Sequence, residues 1–100
     1  NLTLDKKLVN IKSTLGIKFD LSNLKQAETF LNIPEDKKIS TLKEIFDSKI
    51  KAFISDHLQE DFKYKTRDEI EKKLKEYLKN ESSKMGITLF DTTIRSIMIN

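Results

Sequence analysis

Apolar residues in this chain alternate with polar ones near both ends and follow a helical spacing in between. Val9, Ile11, Leu15, Ile17 and Phe19 share one parity, while Asn10, Lys12, Thr14 and Lys18 take the other. That is the pattern of a half-buried strand over residues 8 to 19. Ser13 interrupts the apolar row, and Gly16 on the polar parity predicts a bulge or a close neighbour. Leu2-Thr3-Leu4 followed by Asp5-Lys6-Lys7 predicts a short preceding strand and a turn, which together make an antiparallel hairpin.

The middle of the chain predicts three helices. Asn23 opens the first, with Gln26 completing a partial capping box and Leu24, Ala27, Phe30 and Leu31 at helical spacing. Ile33-Pro34-Glu35-Asp36 ends it, because a residue before proline is pushed out of the helical region. Thr41 with Glu44 reads as a capping box for the second, whose apolar stripe is Leu42, Ile45, Phe46, Ile50, Phe53 and Ile54, closed by His57 or Leu58. A loop follows over Glu60 to Lys65. Thr66 with Glu69 then caps the third helix, which buries Ile70, Leu74, Tyr77, Leu78 and Met85. Asp68 to Lys72, Glu69 to Lys73 and Glu71 to Lys75 are acid-before-base pairs of the kind that stabilise an exposed helix face. Gly86 supplies a left-handed stop.

Alternation returns after Gly86 with an irregularity. Ile87 and Leu89 share one parity, Phe90, Thr92 and Ile94 the other, and Ile97 and Ile99 switch back, so a bulged or strongly twisted strand is expected. The predicted order is strand, strand, helix, helix, helix, strand. Such an order is an α+β fold in which two to three helices cover one face of a small antiparallel or mixed sheet.

At 100 residues the chain is one domain, 1–100, with one core. Its 37% hydrophobic and 35% charged residues describe a folded protein with a highly charged surface. The net charge of +3 comes from interleaved signs, which argues against nucleic acid as a partner because a phosphate footprint needs positive charge gathered on one face. There is no cysteine, which removes disulfides, thiolate metal sites and a cysteine nucleophile. No apolar run reaches the length of a membrane span. The start at Asn1 without Met and the strand-like Ile97-Met98-Ile99-Asn100 ending suggest a domain excised from a longer chain.

Candidate chemistry is sparse. His57 is the single histidine and suits the carboxyl end of a helix dipole better than catalysis, which needs a partner across space. The acids Asp56, Glu60 and Asp61, and Glu35 with Asp36, lack the tight glycine-containing loop of a hard-cation site. Ser48, Ser55, Ser82 and Ser83 have no nearby base and no strained nucleophile turn. No enzyme, cofactor, metal or small-molecule substrate is therefore expected. Phe62-Lys63-Tyr64-Lys65 mixes aromatic and basic residues, as a base-stacking or membrane-surface loop does, although the favoured reading is that both rings fold back over the core while the lysines stay wet. The candidate interaction surface takes Phe62, Lys63 and Tyr64 from this loop and Lys72, Lys75 and Lys79 from the helix after it; Lys73 joins them in a binding-module reading.

One block carries more than periodicity. Leu74-Lys75-Glu76-Tyr77-Leu78-Lys79-Asn80-Glu81, then Lys84-Met85-Gly86-Ile87-Thr88-Leu89-Phe90-Asp91-Thr92-Thr93-Ile94-Arg95-Ser96-Ile97, resembles the SPFH, or band 7, domain of stomatins, prohibitins and flotillins. There a charged helix ends in Gly-Ile and continues as a strand reading apolar, apolar, Asp, x, x, Ile, basic, x, Ile; Gly86-Ile87, Leu89-Phe90-Asp91 and Ile94-Arg95-Ser96-Ile97 match it. The upstream elements fall in the family's order, and the Asp5-Lys6-Lys7 turn departs from it by lacking a glycine. The resemblance implies a non-enzymatic scaffold, peripheral to or anchored at a membrane, that self-associates or joins related chains and regulates proteases or channels there. The alternative is an unrelated small α+β module that binds protein or nucleic acid through the Lys72 to Lys79 face and the Phe62 to Lys65 loop.

Overall fold

The computed structural model describes residues 1–19, 22 and 24–99, and the side chains of Leu24, Gln26, Ala27 and Thr29 also lie outside that description. The expected cap of Asn23 with Gln26, and the burial of Leu24 and Ala27, fall outside the described residues.

The elements are β1 (Val9–Phe19), α1 (Leu24–Leu31), α2 (Glu35–Ser55), α3 (Gln59–Lys63), α4 (Arg67–Ser83) and β2 (Ile87–Ile99). β1 and β2 form a two-stranded antiparallel ribbon, and the helices pack on one side of it, as an α+β layer requires. The 13 residues of β2, at about 3.3 Å each, account for the 40 Å long axis of the molecule. Phe46, Ile50, Phe53 and Ile54 of α2 and Ile70, Leu74 and Leu78 of α4 meet Val9, Ile87, Leu89 and Ile94 in one core.

The irregularity of β2 is two bulges. Gly16 pairs with Asp91 and Ile17 with Leu89, which leaves Phe90 without a partner; Lys12 pairs with Ser96 and Ser13 with Ile94, which leaves out Arg95. Each extra residue turns the strand over by one parity. Ile87 and Leu89, then Thr92 and Ile94, are thereby all buried, and Ile97 and Ile99 pack against the same core. Phe90 is not part of that set: it is 61% exposed, and its ring lies so close over Gly16 that a β-carbon there would stand 2.5 Å from Cε2. Gly86 adopts φ 70, the left-handed stop that glycine takes without strain.

Three sequence expectations need correction. The first strand is reduced to a single bridge, Leu2 to Leu8, because the intervening turn folds back on Thr3: Lys6 N donates to Thr3 O at 2.9 Å and Lys7 N to Thr3 Oγ1 at 3.1 Å. Thr41 and Glu44 do not start α2. The helix begins at Glu35 behind Pro34, whose fixed φ and absent N–H suit a helix start and whose neighbours Glu35 and Asp36 favour the positive end of the dipole. Finally, the Glu60 to Lys65 loop contains the short α3, where the Asp61 carboxylate accepts from Leu58 N at 3.0 Å. The Thr66 cap of α4 is present, with Thr66 Oγ1 accepting from Glu69 N at 3.2 Å.

Candidate interaction surface

The aromatic and basic loop splits between inside and outside. Phe62 is buried, edge-on to Phe53 at 6.1 Å between ring centroids and to His57 at 5.8 Å. It belongs to the core and drops out of the candidate surface, because apolar positions of a one-turn helix at the edge of a core turn inward. Tyr64 is 78% exposed, with the Lys63 ammonium 5.7 Å from its ring centre, a cation–π contact at a wet site.

The α4 lysines also divide. Lys72 and Lys75 line an open cleft of about 330 Å³ with Asp68, Glu71, Asp91 and Thr92, between α4 and β2. Lys79 lies one turn further along the same stripe, exposed. Lys73 faces the other way, towards α3: the Lys65 ammonium beside it holds its pKa below the ordinary lysine value, while Asp61 and Glu69 act in the opposite sense. Among the described residues the three expected acid–base pairs on α4 are not closed; the ion pairs are Lys38 with Glu35, Lys49 with Glu81 and Lys84 with Glu81. Exposed pairs gain little in water, and Glu71 has a better partner, accepting from Ile94 N at 3.0 Å.

That bond shows how differently the two ribbon edges are treated. Val9 N donates outwards to Asn1 O at 2.9 Å, so strand alternation directs the backbone groups of Ile11, Ser13, Leu15 and Ile17 to the outer edge of β1. None of them has a backbone partner there among the described residues. Beside this edge, Ser13, Leu15 and Ile17 of β1 and Leu42, Phe46 and Ile50 of α2 line an apolar cleft of about 220 Å³, with Lys43 and Asp47 at its rim. Sequence reasoning did not single out this feature. Its signal was the interrupted row at Ser13, where an apolar strand carries a small polar residue.

His57 is half-buried beside the core. Nδ1 lies 2.7 Å from Phe53 O and the ring packs on Phe53 at 4.5 Å. Its carbonyl accepts from Leu4 N at 2.8 Å, pinning the N-terminal turn. Among the described residues no three His, Cys, Asp or Glu side chains gather as a metal ion would need, and no helix is long and apolar enough to cross a membrane.

Comparison with curated proteins and with solved structures returned no match. The sequence profile of the SPFH domain / Band 7 family, in contrast, aligns with residues 1–100. The Gly86 stop, the doubly bulged strand after it and a profile match over the whole chain lead to one assignment: the chain belongs to the SPFH domain / Band 7 family.

Proposed function

We propose that this domain is a non-enzymatic unit of a membrane-associated scaffold, joining copies of itself or related domains side by side, and that any control of a membrane protease or channel is exercised through that assembly. Family membership supports the membrane-associated scaffold role. The observation that carries the assembly reading is the outer edge of β1, where the backbone groups of Ile11, Ser13, Leu15 and Ile17, without a backbone partner there among the described residues, border an apolar cleft. An open strand edge is a template for another strand, and the adjoining cleft can take its alternate side chains.

The test uses the full-length protein and light scattering. Ser13→Pro deletes an N–H that points away from β2, so the β1–β2 ladder loses no hydrogen bond. The expected result is a smaller mean assembly with unchanged helix content by circular dichroism. An unchanged size distribution removes the β1 edge from the interface. A protein that stays monomeric, and whose binding to nucleic acid falls steeply with salt, replaces the scaffold reading with the binding-module one.

A further inference from the structure

The helices leave the other side of the ribbon bare, and several large apolar side chains lie on it. Leu8 precedes the buried Val9 and so points away from the helices; Leu2 bridges to it, Met98 lies opposite Asn10, and the Phe90 ring rests over Gly16. Their exposures are 45% for Leu8, 52% for Leu2, 53% for Met98 and 61% for Phe90. Folding gains nothing from apolar area held in water, so four such residues on one face call for a use.

The charges on this face are mostly positive. Lys12 and Lys18 share its parity, and Arg95 is the bulged residue beside Ser96, opposite Lys12. Among the described residues none of the three makes an ion pair. The one carboxylate among these strand positions is Asp91, which accepts from Thr93 Oγ1 at 3.4 Å. Leu2, Leu8 and Met98 form one apolar foothold and Phe90 a second, roughly 20 Å from Met98 for the six residues of β1 between Asn10 and Gly16, with Lys12 and Arg95 between them.

We propose that this bare face of the ribbon docks on an anionic lipid surface, an inference that rests on the membrane-associated reading above and names the side chains that make the contact. Leu2, Leu8, Met98 and Phe90 enter the boundary between headgroups and acyl chains, and Lys12, Lys18 and Arg95 meet headgroup anions. Charge complementarity selects this occupant. A second copy stacked on the same face would set three cations and one carboxylate against the same set, a net repulsion. A single-stranded nucleic acid would need successive aromatic platforms, and here one ring stands among aliphatic side chains.

The test is partition of the purified protein onto phosphatidylcholine vesicles with and without phosphatidylserine. Binding is expected on the phosphatidylserine vesicles. The pair Phe90→Ser with Met98→Ser should weaken it about tenfold or more, and Lys12→Gln and Arg95→Gln about fivefold each. Lys51→Glu, on the exposed side of α2, should change it little. Circular dichroism guards against misfolded variants, and the two glutamine variants test the same face without touching its apolar residues. The proposal is overturned by wild-type protein that does not partition, or by variants of this face that partition normally. It is overturned equally if these variants shrink the assembly in lipid-free solution, or abolish binding to a single-stranded oligonucleotide. Assembly size, read on the same samples, keeps the scaffold reading separate: a protein that assembles normally but ignores vesicles sinks only the lipid contact.

Discussion

The two edges of the ribbon carry strands of similar length and opposite fates. The edge of β2 is closed by α4: Leu74 and Leu78 are fully buried against the strand's side of the core, and Glu71 takes the Ile94 amide. Among the described residues the edge of β1 is closed only at its start, where Asn1 and Leu2 pair with Val9 and Leu8, and α2 stands off far enough to leave a cleft. One edge is finished by the domain itself; the other, among the described residues, is left open beyond Val9. The difference is written in the helix stripes, since α4 presents a continuous buried row, whereas the α2 row turns from buried Phe53 and Ile54 to half-buried Leu42 and Ile45.

Truncating matched leucines on the two sides is the strongest way to break this comparison. Leu74→Ala should destabilise the domain by about 3 kcal/mol in urea denaturation, because a fully buried leucine leaves a cavity. Leu15→Ala, at a half-buried position beside an existing cleft, should cost about 1 kcal/mol. Equal losses would mean that the β1 side is packed as tightly as the β2 side.

Polar closure of the β2 edge is tested next. Glu71→Ala should cost about 1.5 kcal/mol, as expected for a hydrogen bond to a charged acceptor, and should speed amide hydrogen exchange at Ile94. Thr92 sharpens the same edge in the other direction. Parity forces this threonine into the core, where its hydroxyl is buried without a partner among the described residues. Thr92→Val keeps the shape, removes an unmet polar group and should stabilise by about 1 kcal/mol. A loss instead would show that the hydroxyl is engaged at the cleft it borders.

Much of this architecture was legible from residue order. The parity changes of β2 announced both bulges, Gly86 announced its own backbone, and Gly16 announced a close neighbour that proved to be Phe90. Other features were hidden for physical reasons. A capping-box pattern at Thr41 and Glu44 is a local signal, and Pro34 with two acids after it overrides it by starting the helix earlier. Phe62 and Tyr64 are two apart in sequence, and only the turn of α3 decides that one goes in and the other out. The bare edge of β1 is a tertiary property, since it depends on where α2 comes to rest.

A smaller effect is expected where the β1 edge is already covered. Lys6 is the one non-glycine among the described residues with a positive φ, 58, at the turn where the family resemblance leads one to expect glycine. Lys6→Gly removes the steric cost of the left-handed backbone against an entropic loss in the unfolded chain. A net gain of about 0.5 kcal/mol is expected, together with slower exchange of the Val9 amide that donates to Asn1. If exchange at Val9 is unchanged, the turn and the edge are not coupled.

The weakest expected effect is a dependence on pH at the same turn. The Thr3 hydroxyl holds the Asp5 carboxyl below its ordinary value, with the Gln59 amide, donating at 3.1 Å, acting in the same sense. A carboxyl whose pKa is lower folded than unfolded binds fewer protons in the native state, so its contribution is present above the unfolded value of about 3.9. That contribution is lost as pH falls through the folded value. Asp5 is exposed, so solvent screening keeps the effect small. Wild-type protein should therefore lose slightly more stability than Asp5→Asn between pH 5 and pH 2 in urea titrations, and Thr3→Val should remove most of the difference. Identical acid limbs for all three proteins would mean that the turn is held by the backbone bonds of Thr3 alone.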